Sequence, residues 1–127
     1  MNISETASRP KIESVMVGFC VRDMKAALEF YTIKLGFGVV FRNGDVYAIV
    51  TRDGIEISLG LDRSGDRAGK GACYLKVQAV DAFHHELAQK GVVMTHHLKT
   101  ESYGMREFMI ADPDGNTLNF GEPIAAG

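Results

Sequence analysis

Several function classes need features that this sequence has little of. Only two cysteines occur among its 127 residues. Cys20 and Cys73 show no CxxC spacing, so neither a zinc knuckle nor a thioredoxin-type redox pair is indicated, and both read as buried free thiols. Charge of neither sign dominates: the formal net charge is −2 and the pI is near 6.1. Without a basic stripe to neutralise phosphates, nucleic acid is not an expected partner. No apolar run is long enough to span a bilayer, and residues 1–11 (MNISETASRPK) lack the apolar stretch of a signal peptide. These absences point to a cytoplasmic protein with a flexible polar tail over 1–11 and one domain over 12–127.

What is present supports a real core. Hydrophobic residues make up 46% of the chain and charged residues 24%, the balance of a single folded domain. The strongest local signal lies late in the chain. An alternating run from Met105 to Ala111 meets Asp112-Pro113-Asp114-Gly115, and a second run follows from Asn116 to Gly121. Proline presets one turn corner and glycine supplies a positive φ, so this stretch predicts a β-hairpin.

Earlier segments fit the same grammar. Val15, Val17, Phe19 and Val21 alternate with Met16, Gly18 and Cys20, predicting a strand over 15–21. Asp23 stands as an N-cap before Met24, Ala27, Leu28, Tyr31 and Leu35 at helical spacing, and Gly36 marks the stop. Three strands then follow, over 37–42, 45–52 and 55–60, separated by Asn43-Gly44 and Asp53-Gly54. This βαβββ module spans 12–61, and the glycine-rich, charged stretch 62–71 reads as a linker.

The order then repeats over 72–123. Cys73, Leu75 and Val77 alternate with Ala72, Tyr74 and Lys76; Asp81 is placed to cap a helix carrying Phe83, Leu87 and Ala88; Gly91 ends it; and a strand over 92–98 leads into the hairpin. A repeated topology is therefore expected.

Paired βαβββ modules, the helix ending EFYTIKLGF (Glu29–Phe37) and the closing GMREFMIADPDGNTLNF (Gly104–Phe120) together resemble the vicinal oxygen chelate superfamily. That superfamily includes glyoxalases, extradiol dioxygenases, fosfomycin-modifying enzymes and bleomycin-resistance proteins. The resemblance implies an α+β fold in which two modules curl mixed sheets around a cleft, and a homodimer. Metal-dependent members place ligands at positions that map onto Met16, Glu56, Ala72 and Asn119. Only Glu56 is a strong ligand, whereas a divalent ion needs about three or four oxygen or nitrogen donors. The resemblance therefore implies neither a metal nor another cofactor here.

The ending is similar to the metal-free bleomycin-resistance branch in the order of Tyr103, Gly104, Arg106, Glu107, Phe108, Asp112, Pro113, Gly115 and Asn116. Met105 is an extra residue between glycine and arginine, and the chain has no tryptophan, although that branch often stacks its drug on indoles.

By alternation, Glu56 and Glu107 fall on faces turned away from the helices and, in the resembled fold, look into the cleft. Phe41, Tyr47, Ile49, Tyr74, Met105 and Met109 share those faces, with Ser58 and Asn119 as polar groups. An adaptable, partly aromatic wall of this kind suits small-molecule binding. The expected function is sequestration of an aromatic or cationic compound in a dimer cleft. The alternative is a lyase, isomerase or glyoxalase-like enzyme using Glu56 as a general base, with or without a weakly bound divalent metal. A vestigial cleft in a protein that acts through partners is the third possibility. His84 and His85 are helix neighbours and His96 and His97 point to opposite strand faces, so both pairs read as surface histidines. Asp112, Pro113, Gly115 and Asn116 are assigned to turn formation, and Arg106 and Phe108 to holding the hairpin.

Overall fold

The computed structural model describes residues 9–125; most of the predicted N-terminal tail lies outside this range. Alternation in the first apolar run produces β1 (Val17–Val21), with Phe19 and Val21 buried. The strand begins two residues later than periodicity suggests, because pairing with its neighbour starts at Val17 opposite Ile57. Val15 lies beyond that register and is 86% exposed.

Asp23 caps α1 (Met24–Glu29) by accepting a hydrogen bond from the Ala26 amide at 3.1 Å. The helix continues as a π-helical segment, Phe30–Lys34, and ends where Gly36 adopts φ +75°. Met24, Ala27, Leu28, Tyr31 and Leu35 are all buried, as their spacing predicts. Strands β2 (Gly38–Asn43), β3 (Tyr47–Arg52) and β4 (Ile55–Leu61) follow. The sheet order is β1-β4-β3-β2, with β1 and β4 parallel and the other pairs antiparallel. Edge strand β2 is exposed along its whole length, including the consecutive Val39, Val40 and Phe41.

The second half repeats this plan with β5 (Ala72–Lys76), α2 (Val80–Gln89), β6 (Met94–Thr100), β7 (Met105–Ala111) and β8 (Thr117–Pro123), in the order β5-β8-β7-β6. The expected α+β architecture of two four-stranded mixed sheets is present, and neither sheet closes. The start of α2 differs from expectation. Asp81 does not cap it; the carboxylate of Glu122 on β8 accepts from the amides of Ala79 and Val80, each at 3.0 Å. A distant strand supplies the cap, which frees Asp81 to pair with Arg106 at 2.7 Å. Ala88, expected on the packed face, is exposed, while Val80 and Leu87 are buried.

One continuous apolar cluster draws on both halves. Phe108 stacks on Phe120 at 5.0 Å and 7°, beneath Phe83. Each such side chain contributes roughly 1.5–3 kcal/mol through burial. Polar ties reinforce the junction. Arg52 donates to both Glu86 carboxylate oxygens, at 2.8 and 3.3 Å, and to the Leu35 carbonyl at 2.8 Å, while its guanidinium lies 4.4 Å from the centre of the Phe83 ring.

The closing turn forms a second tie. Asp112 and Asn116 are 5% and 0% exposed, so their role exceeds the turn formation expected of them. Asp112 Oδ1 accepts from the amides of Asp114, Gly115 and Asn116, while Asn116 Nδ2 donates to Asp112 and to the Cys20 carbonyl. Asn116 Oδ1 in turn accepts from the Gly71 amide at 2.9 Å. The stretch between the halves is also tied down: Asp62 accepts from Ser64 and Arg67, and Ala68 is buried. Among the described residues, no helix is long and apolar enough to cross a membrane.

Candidate functional site

Because side chains alternate across a strand, each sheet packs one face on its helix and leaves the other open. Register fixes the neighbours on the open faces. On the first sheet, Gly18, Ser58, Ile49 and Phe41 form one cross-strand row, and Cys20, Gly60, Tyr47 and Asn43 form the next. Small residues on β1 and β4 leave a trough, and a side chain at Gly60 would meet nothing within 4 Å. Phe41 and Tyr47 bound the trough with rings 6.2 Å apart, edge to face. Glu56 continues this face opposite Thr51.

On the second sheet the corresponding rows are Tyr74, Asn119, Met109 and His96, then Lys76, Gly121, Glu107 and Lys99. Here the glycine is covered. A Cβ at Gly121 would lie 1.8 Å from the Tyr74 hydroxyl oxygen, so the Tyr74 side chain lies across β8 toward Glu107 on β7.

Two cavities divide the sequence-derived candidates. Glu107, Met109 and Asn119 line a cavity of about 510 Å³ together with His96, His97, Lys99, Glu101 and Tyr103. Glu56 and Tyr74 line a larger groove of about 1010 Å³ between the two sheets, beside Val17, Arg52, Lys76 and Phe83. Phe41, Tyr47, Ile49, Ser58 and Met105 lie apart from both cavities. The two carboxylates expected to share a cleft thus belong to different cavities in one chain.

Electrostatics separate them further. The Tyr103 phenol donates to Glu107 Oε1, and this hydrogen bond holds the phenol well above its usual range, up to about 12. Burial, followed by the Glu107 charge, also raises the Tyr74 phenol. Arg42 pairs with Asp45 at 2.7 Å and Arg106 with Asp81, so neither arginine neutralises Glu56 or Glu107. Both cysteines are half-buried rather than fully buried; desolvation pushes Cys73 up to about 11, which disfavours a thiolate nucleophile.

Tyr103, Lys99 and Glu101 escaped the sequence-derived set. Tyr103 was visible only as an aromatic residue before Gly104; its spacing of four from Glu107 across the strand start carries the missing signal. His96 and His97 are exposed yet form part of the smaller cavity wall, and His84 is half-buried with its ring edge-on to Phe108 at 5.1 Å.

The residues at the superfamily's metal positions do not fit a catalytic ion. Met16 offers a thioether and is 41% exposed, Ala72 offers no donor, and Asn119 uses its amide nitrogen to reach the Cys73 carbonyl at 3.3 Å. Among the described residues, no three His, Cys, Asp or Glu side chains gather into a potential metal site.

Known proteins resemble the chain in sequence and in fold. The chain is 27% identical over 122 residues to a bleomycin resistance protein of Geobacillus stearothermophilus, covering 82% of this chain and 92% of that protein. The bleomycin-binding protein of Streptomyces verticillus, solved with copper(II)-bleomycin, superposes with a TM-score of 0.77 at 25% identity, covering 94% of this chain and 100% of that one. An antibiotic-binding protein from Streptomyces sp. CB03234 superposes with a TM-score of 0.70 at 27% identity, covering 90% and 99% of the two chains. A model of the glyoxalase/bleomycin resistance protein/dioxygenase superfamily matches residues 11–120, and the chain belongs to that superfamily.

Proposed function

We propose that this protein binds and sequesters a small-molecule antibiotic of the bleomycin type without altering it chemically, as a homodimer. The observation that carries this is the separation of the two open faces. The trough bounded by Phe41 and Tyr47 lies on one sheet, whereas Tyr74, Glu107, Met109 and Asn119 lie on the other. Each face is a half-site with an adaptable apolar and aromatic wall. Setting the first sheet of one copy against the second sheet of another gives two enclosed clefts per dimer. The relatives named for bleomycin resistance and bleomycin binding support this ligand class, and the poor donor set at the metal positions favours binding over metal-assisted turnover.

Sedimentation analysis combined with calorimetric titration of bleomycin tests the proposal. A dimer binding one ligand per chain, with the ligand recovered intact, is the expected result. Full-affinity binding by a monomer would sink the shared cleft, and absence of binding to any bleomycin would sink the sequestration function.

A further inference from the structure

The turn between β2 and β3 carries a reactive pair. Asn43 ends β2 opposite Tyr47, and Gly44 follows at φ +50° in a turn closed by the Val46 amide, which donates to the Asn43 carbonyl at 3.1 Å. Arg42 straddles this turn. Its Nε donates to the Gly44 carbonyl at 2.9 Å, and its Nη2 pairs with Asp45 at 2.7 Å. The other asparagines of the described residues are guarded. Asn116 is buried, bonded to the Cys20 carbonyl, Asp112 and the Gly71 amide, and precedes Thr117. Asn119 is half-buried, donates to the Cys73 carbonyl and precedes Phe120. Among the described residues only Asn43 is both exposed and followed by glycine.

An asparagine before glycine carries its own electrophile and nucleophile. The Gly44 backbone nitrogen attacks Asn43 Cγ, and the new C–N bond closes a five-membered succinimide. The side-chain nitrogen leaves as ammonia, taking with it the proton from the Gly44 nitrogen. Water then opens the ring at either carbonyl, leaving aspartate or isoaspartate at position 43. Glycine sets no side chain in the way, and the space beside Gly44 is open, since even an added Cβ would meet nothing within 4 Å. Ring closure requires rotation about the Asn43 Cα–C bond out of the extended strand conformation, which carries the Asn43 carbonyl away from the Val46 amide. Arg42, bonded to two residues of the turn, opposes that opening. We propose that Asn43 is a site of spontaneous deamidation and isoaspartate formation, and that Arg42 sets its rate by clamping the turn.

The product acts on the open face of the first sheet. Asn43 shares its cross-strand row with Tyr47, Gly60 and Cys20. Aspartate at this position adds one negative charge to a chain whose formal net charge is −2. Isoaspartate lengthens the main chain by a methylene and shifts the strand end that seats Tyr47 against Phe41. The trough thus carries a slow clock at its rim, whatever compound it binds.

The full chain, incubated in warm neutral buffer and sampled over time, tests this by peptide mapping with isoaspartate-resolving mass spectrometry. Conversion at Asn43 is expected to run at least about tenfold faster than at Asn116 or Asn119, whose reaction demands wider unfolding. Arg42→Ala should quicken it about two- to fivefold, as loss of an exposed ion pair permits, with Asn116 and Asn119 unchanged. Because the Arg42 and Asp45 side chains are 48% and 74% exposed, added salt should quicken the native protein toward the Arg42→Ala rate. In aged protein the Tyr47 ring resonance should split in proportion to conversion.

An unstructured peptide of residues 40–46 gives the unclamped rate. Asn43 intact in the protein while the peptide converts would overturn the site. An Arg42→Ala rate no higher than native, or a rise shared by Asn116 and Asn119, would overturn the clamp. A Tyr47 ring unmoved in converted protein would overturn the effect on the trough.

Discussion

Tyr31, in the π-helical turn of the first half, donates a 2.8 Å hydrogen bond to Asp112, at the closing turn of the second. Both residues are buried, and they are separated by 81 positions in the chain. Removing the phenol oxygen leaves a buried carboxylate short of one donor. Tyr31→Phe should cost about 1–3 kcal/mol, read as a lower midpoint with an unchanged m-value in urea unfolding.

The same pair predicts an alkaline limit. Burial first, then the Asp112 charge and hydrogen bond, raises the Tyr31 phenol above its ordinary value of 10.0. Above that pH the unfolded chain loses the proton while the native chain keeps it. The stabilisation is therefore whole below about pH 10 and declines as pH rises, by up to about 1.4 kcal/mol per pH unit. Tyr31→Phe should flatten this part of the stability profile, and identical slopes for the two proteins would contradict the assignment.

Two glycines should respond differently to alanine. At Gly69, with φ +76°, a Cβ would fall 1.9 Å from the Asp114 carbonyl oxygen, and backbone cannot swing aside. Gly69→Ala should destabilise the fold by about 2–4 kcal/mol. At Gly121 the obstacle is the end of an exposed side chain, so Gly121→Ala should cost under about 1 kcal/mol. Thermal unfolding of the two variants side by side checks the ranking.

Capping of α2 from β8 gives a third comparison. Glu122→Ala removes the acceptor for both Ala79 and Val80 amides and should cost about 1–2 kcal/mol, whereas Asp81→Ala should cost less. If Asp81→Ala were the more damaging change, the conventional in-sequence cap would be the operative one.

The Arg52–Glu86 tie can be measured by a double-mutant cycle. Arg52 has a side chain 22% exposed and Glu86 one 39% exposed, so solvent screens the pair and tempers its worth. Bidentate geometry and stacking on Phe83 act the other way. Arg52→Met should cost about 1–2 kcal/mol, with a coupling to Glu86→Gln of about 0.5–1 kcal/mol.

Much of the architecture was legible because its cues are local. Alternation marked β7, Asp112 to Gly115 marked the turn, and the spacing of Met24, Ala27, Leu28 and Tyr31 marked the buried stripe of α1. The missed features depend on strand register between distant segments. Glu122 becomes a helix cap only once β8 lies beneath the start of α2, and Tyr74 meets Glu107 only because β8 brings Gly121 between them. Asp112 and Asn116 carry the sequence marks of a surface turn, yet both are buried, Asn116 against the Cys20 carbonyl and the Gly71 amide and Asp112 against the Tyr31 phenol. The candidate site was legible as two alternating faces, while its division between separate sheets required three dimensions.

Edge strand β2 has a practical consequence for anyone handling the protein. Val39, Val40 and Phe41 stand 46%, 56% and 50% exposed on a strand whose outer hydrogen-bonding groups have no neighbouring strand. Such an edge is a template for adding another strand. Colloidal behaviour should therefore fail before folding does: raising the protein concentration should produce turbidity while the far-ultraviolet circular dichroism is still native. Lysine at Val40 should raise solubility by making the edge repel its own kind.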